Sequence, residues 1–136
     1  MRIKINQSDF ELIVKHAKAE LPNEACGLIA GKTEDNTAVI QKVYLLTNPD
    51  QSPEHFSIDP AEQLKAIKNM RASGLVPLGN FHSHPSSPSR PSQEDIRLAH
   101  DPKASYLILS LAGEAPVLKA FEIVDGVATQ RVLEII

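Results

Sequence analysis

Apolar positions along this chain switch repeatedly between a period of two and a period near three and a half, so strands and helices are interleaved. Arg2 to Ile5 alternates, with Ile3 and Ile5 on one side, and predicts a short strand. Ser8-Asp9-Phe10-Glu11 has the spacing of a capping box and predicts a helix start. Phe10, Ile13, Val14, Ala17 and Leu21 follow at helical spacing until Pro22 ends the run. Glu24 to Lys32, carrying Cys26, Leu28 and Ile29, predicts a strand, in which Gly27 and Gly31 permit close backbone approach. The polar turn Thr33 to Asn36 leads to a β-rich run, Ala38 to Thr47, so the two strands predict a hairpin.

Asn48 to Glu54 is a loop marked by Pro49 and Pro53, and Phe56 to Ile58 predicts a short strand. Asp59-Pro60-Ala61-Glu62 opens a second helix, with Asp59 as cap and Pro60 at the first helical position. It runs to about Ser73, is stopped by Gly74, and carries Leu64, Ile67 and Met70 as its inner stripe. Leu75 to His84 predicts a strand, Ser92 to Ala99 a helix capped by Ser92, and Tyr106 to Leu111 a buried strand. Val117 to Val124 and Val127 to Ile135 flank Asp125-Gly126, a two-residue hairpin signal. Strands and helices mix without strict β-α-β repetition, which predicts an α+β sheet with helices packed on it.

The chain's 136 residues imply one domain, residues 1–136, able to bury about two-thirds of its unfolded surface. A net charge of −3 gives no support for nucleic-acid binding by bulk electrostatics. The single cysteine, Cys26, excludes an internal disulfide and suits a reducing compartment. No apolar run suggests a signal peptide or a bilayer span, so the expected location is the cytoplasm.

The chemistry concentrates in Gly79 to Ala99. His82 and His84 are separated by one residue, so on a strand both imidazoles point the same way and can share one divalent metal. Pro85, Pro88 and Pro91 stiffen the loop that follows. Folding of this loop brings Asp95, in the first turn of the next helix, back over the histidines as a third ligand of the kind zinc accepts. Three protein ligands leave one tetrahedral position for water, the pattern of a catalytic zinc site. The Ser92 and Asp95 spacing is also that of a helix capping pair, which alone accounts for both residues. His16 and His100 are expected at the surface and at a helix end, and His55 before the short strand, none with a metal role; Cys26 is expected as a buried structural thiol.

H-S-H, seven residues, Ser, two residues, Asp resembles the signature of the JAMM (MPN+) metalloproteases, filled here by His82, Ser83, His84, Ser92 and Asp95. The family also needs an upstream glutamate, and Glu24 in Leu21-Pro22-Asn23-Glu24-Ala25-Cys26-Gly27-Leu28 resembles it; on its own it would read as a solvated acid. The resemblance covers nearly the whole chain and is nearest to the compact prokaryotic type. It implies a curved mixed β-sheet flanked by helices, in a cytidine-deaminase-like arrangement, holding one Zn2+ on His82, His84 and Asp95. Glu24 would be the general acid/base for water at the open position, and Ser92 would position that water or stabilise the oxyanion. Ser83, facing the other way, would support the fold near the site. The implied reaction is hydrolysis of an amide bond after the C-terminal Gly-Gly of a ubiquitin-like sulfur-carrier protein, whose extended tail would add to a sheet edge. Alternatives are a metal-free scaffold of the same fold, and a zinc hydrolase of other peptides.

Overall fold

The computed structural model describes residues Met1–Ile136. Seven strands and three helices follow in the order β1 (Arg2–Ile5), α1 (Gln7–Ala19), β2 (Cys26–Glu34), β3 (Thr37–Leu46), α2 (Pro60–Ala72), β4 (Val76–His84), α3 (Gln93–Arg97), β5 (Ser105–Ser110), β6 (Val117–Val124) and β7 (Val127–Ile135). The strands are arranged β1-β3-β2-β4-β5-β6-β7 and close into a barrel. The mixed sheet with packed helices agrees with the sequence, but the expected curved sheet closes into a barrel. β1 pairs in parallel with β3 through Arg2 to Lys4 and with β7 through Arg2 to Ile5, and so joins the two ends. A short alternating run shows which face is apolar, not how many neighbours its backbone will have. Closure is partial along the strands: Ile40 to Leu46 of β3 pair only with β2, and Val127 to Arg131 of β7 only with β6.

Both tight hairpins turn on residues with positive φ, Asp35 (45°) with Asn36 (61°) and Asp125 (50°) with Gly126 (77°), which matches the right-handed twist of their strands. The first helix starts two residues earlier than the sequence suggested. Asn6, not Ser8, is the N-cap: its side-chain Oδ1 accepts from the Asp9 backbone amide at 2.7 Å, and its side-chain Nδ2 donates to the Asp9 carboxylate at 3.0 Å. Asn6-x-x-Asp9 repeats the capping-box spacing in a different register, and asparagine caps as well as serine does. In α2, capped by Asp59 as expected, the buried residues are Ala66 and Met70, with Ile67 packed beside them, while Leu64 is 56 % exposed. Met70 and Ile67 of the expected stripe therefore face inward, and Ala66, whose small side chain carries little hydrophobic weight in a sequence pattern, takes the place expected of Leu64.

α1 packs Ile13 and Ala17 onto the sheet face that carries Ile3, Ile5, Ile29, Ile40, Phe81, Leu107 and Leu109. α2 covers the opposite face of β2 and β3, with Ala66 and Met70 against Cys26, Leu28, Ala30 and Leu46. β2 is thus buried on both sides, and its Gly27 has room for nothing larger, since a Cβ there would fall 2.2 Å from the Phe81 ring. Gly79 has φ +152° and lies against the Ser105 backbone at the first β4–β5 pair. This close approach, open only to glycine, starts β5 alongside the histidine-bearing strand. No helix is long and apolar enough to cross a membrane.

Candidate metal centre

β4 alternates sides. Phe81 and Ser83 point into the α1 face and are almost fully buried, so Asn80, His82 and His84 share the other. The strand ends at His84, and the proline loop turns back to α3. Ser92 caps that helix in a full capping box: its Oγ accepts from the Asp95 amide at 3.0 Å, and its own amide donates to Asp95 Oδ2 at 2.9 Å. The box is also what aims the carboxylate. Asp95 Oδ2 lies 3.1 Å from His82 Nε2 and 3.2 Å from His84 Nε2, and the two imidazole nitrogens are 3.2 Å apart. The capping and ligand readings of Asp95 are therefore compatible, because different atoms of one residue serve each.

The donor set suits a divalent metal. His84 Nδ1 donates to the Pro88 carbonyl at 2.9 Å, which leaves the Nε2 lone pair directed at the cluster. Two imidazole nitrogens and a carboxylate oxygen, all within 4.8 Å of one another and largely buried, form the N/O set that zinc accepts. The loop between them is pinned by the protein itself. Ser110 Oγ donates to the Ser87 carbonyl and Ser89 Oγ to the Val117 carbonyl, both at 2.6 Å. Buried Ser89 could not be told from its exposed serine neighbours in sequence.

Glu24 is buried at the mouth of β2, and its Oε1 has no hydrogen-bond partner. Three bonds place it. Its amide donates to the Ser52 carbonyl at 2.8 Å, its carbonyl accepts from Asn48 Nδ2 at 3.1 Å, and the next amide, Ala25, donates to Ser83 Oγ at 2.8 Å. The serine between the histidines therefore fastens the glutamate's neighbour. Burial, helped by the negative charges of Asp95 and Glu94 and opposed by His84, pushes the Glu24 carboxyl up to about 8. For His84, burial disfavours the charged ring, but hydrogen bonds to Asp95 and Pro88 outweigh it and raise its pKa. Burial opposes the Asp95 charge as well, yet its bonds to both histidines hold it below the usual carboxylate range.

These shifts give a sign. Between its ordinary 4.5 and about 8, Glu24 holds a proton in the folded metal-free chain that the unfolded chain releases, so stability falls as pH rises across that window. The raised His84 acts in the same direction, its contribution fading as pH climbs through its folded value. Urea unfolding in chelator at pH 5 and at pH 8 is expected to differ by on the order of a few kcal/mol, with the higher pH less stable. In Glu24→Gln most of that difference is expected to vanish; equal midpoints in the parent chain would contradict the reading.

The other histidines stay outside the cluster. His16 is not a free surface residue: its Nε2 lies 3.2 Å from the Cys26 carbonyl and 3.0 Å from that of Leu46, bridging the first β2–β3 pair. Its two acceptors belong to strands distant in sequence, so it had no visible partner. His100 is exposed and lies past the end of α3, which is only five residues long and buries nothing to carry it further. His55 Nδ1 sits 2.7 Å from Glu94 Oε1. The Cys26 thiol is fully buried, faces the Thr47 and Ser57 carbonyls at 3.6 and 3.7 Å, and is pushed up by burial to about 12, which keeps it protonated.

Two residues that sequence reasoning passed over also shape the site. Phe56 lies in no strand but stacks on the His82 ring, with centroids 4.6 Å apart and planes 20° from parallel. Asn48 is buried and donates to the Glu24 and His55 carbonyls while accepting from the Asp50 and Ser57 amides. An asparagine beside proline signals a turn, and nothing in sequence separates a turn amide from a buried one. Beside the cluster opens a cavity of about 280 Å³ whose walls include Phe56, Ile58, Asn80, Leu98 and Ile108.

The family model for prokaryotic homologs of the JAB domain matches residues 6–124. A CysO-cysteine peptidase of Mycobacterium tuberculosis is 32 % identical over 125 residues, covering 91 % of this chain and 84 % of the relative. A "Probable TtuB-protein conjugate cleaving protease" of Thermus thermophilus is 35 % identical over 112 residues, covering 82 % and 69 %. The solution structure of a Desulfitobacterium hafniense protein superposes with a TM-score of 0.91 at 49 % identity, covering all of this chain and 93 % of the other. The chain belongs to the prokaryotic JAB domain family, among relatives that are peptidases and conjugate-cleaving proteases.

Proposed function

We propose that this chain is a zinc-dependent peptidase that hydrolyses the amide bond after the C-terminal Gly-Gly of a ubiquitin-like sulfur-carrier protein, acting in the cytoplasm. The observation that carries the reading is the convergence of His82, His84 and Asp95 donor atoms within 4.8 Å, with Glu24 buried beside them. Those three residues would hold one zinc ion. When bound, zinc supplies a Lewis acid that acidifies water and polarises a carbonyl.

The chain's own groups supply the rest. Glu24 takes a proton from the attacking water and returns it to the departing amine, a transfer suited to a carboxylate kept from solvent. The Ser92 hydroxyl accepts from the Asp95 amide but keeps its own proton, which remains free to donate to the water or to a developing oxyanion. The adjoining cavity, about 280 Å³ with mostly apolar walls, is small enough to favour a narrow extended tail over a folded surface. In that cavity the tail would lie against the segment 54–58 and α3.

The names of the relatives support the substrate class, since one is a CysO-cysteine peptidase and the other a "Probable TtuB-protein conjugate cleaving protease". Zinc-loaded protein should therefore release a carrier ending in Gly-Gly from one extended by a further residue, as read by intact mass. A carrier left whole while an unrelated peptide is cut would move the assignment to a zinc hydrolase of other peptides. No hydrolysis and no zinc uptake would leave a scaffold.

A further inference from the structure

The two histidines of the cluster are oriented by different means. His84 has a hydrogen bond behind it, Nδ1 to the Pro88 carbonyl, in a loop that Ser110 and Ser89 hold in place. Such outer partners fix the tautomer and the ring direction of a ligating imidazole. His82 has none: its Nδ1 is buried without a partner, although the residue is only 2 % exposed. On the side away from the cluster only packing can steady this ring, and the group packed flat against it is the Phe56 ring at 4.6 Å.

Phe56 is itself held firmly. Asn48 grips the backbone on both sides of it, donating to the His55 carbonyl at 2.8 Å and accepting from the Ser57 amide at 3.3 Å. His55 ties the same segment to α3 through Glu94, the residue before Asp95. A residue fixed at both flanks can hold a neighbour's ring; one on a free loop could not.

We infer that Phe56 is a positioning residue for the metal, setting the His82 imidazole by stacking in place of the hydrogen bond that this ligand lacks. The inference rests on the cluster being a metal centre. An aromatic face at position 56 is then required for full metal affinity, even though Phe56 has no ligating atom.

The test is zinc affinity, measured by competition with a chromophoric chelator, for the parent chain and for Phe56→Ala, Phe56→Leu and Phe56→Tyr. Visible spectra of the cobalt-loaded forms and melting of the metal-free forms are recorded beside it. Phe56→Ala and Phe56→Leu are each expected to weaken zinc by about 10-fold or more, within the range for loss of an outer partner of a ligand. Both should alter the cobalt bands, while Phe56→Tyr stays close to the parent in affinity and spectrum. Phe56→Leu keeps apolar bulk in the segment, so it separates loss of the stack from loss of the fold if Phe56→Ala melts early. A Phe56→Leu protein that matches the parent in affinity and spectrum overturns the role of Phe56 and leaves the metal centre standing. A parent chain that takes up no zinc ends the metal reading itself, and the inference with it.

Discussion

Glu24→Gln is expected to bind zinc about as tightly as the parent and to lose turnover by about 10²- to 10⁴-fold, the range for a positioned general acid/base. The substitution keeps the size and the buried placement of the side chain, and the three backbone bonds that locate residues 24 and 25 do not involve it. What it removes is the buried carboxylate proposed to take and return the proton. The glutamine is neutral at every pH, so it carries no cost from ionising a buried carboxyl, and the metal-free protein should if anything be steadier above neutral pH. Zinc titration and single-turnover cleavage on the same preparations separate the two effects. Full turnover in the variant would take Glu24 out of the reaction; a parallel collapse of zinc affinity would make it a ligand or a structural group instead.

His84→Ala is expected to weaken zinc well beyond the ~10- to 100-fold that losing an outer partner costs, because a ligand itself is removed. Asp95 needs a more careful substitution. Its Oδ2 accepts from the Ser92 amide as well as facing both histidines, so Asp95→Ala undoes the helix cap together with the site. Asp95→Asn can still accept from Ser92 through its carbonyl while losing the charge. Similar metal loss in both Asp95 variants, with a normal melt for the asparagine form, would assign the effect to the carboxylate. Unchanged affinity in His84→Ala would mean that the donor set is wrong.

Much of this site could be read from local sequence because its geometry is local. Two histidines one residue apart on a strand share a face by pleat alone, and Ser92 with Asp95 fold into a box by helix geometry alone. The long-range parts were hidden. Nothing near Phe56 says that its ring will meet His82, and Asn48 looks like any residue before a proline. His16 finds its acceptors on two strands that pair only in the folded chain. The α1 cap is ambiguous in sequence because two overlapping stretches, from Asn6 and from Ser8, have capping spacing, and in the structure Asn6 is the cap. The barrel is the largest miss, since closure depends on partners more than a hundred residues apart.

That closure also orders events in time. Arg2 to Ile5 pair with Val132 to Ile135, so the first strand made waits for the last. Synthesis proceeds at about 5–20 residues per second, and pairings of this sequence span belong to the slow class of folding contacts. His82, His84 and Asp95 are all in the chain before β7 exists, so a nascent chain holds the complete donor set while its sheet is still open. A chain stalled before β7 would carry every metal-binding residue named here and two exposed strand edges, a form open to chaperone capture and to aggregation.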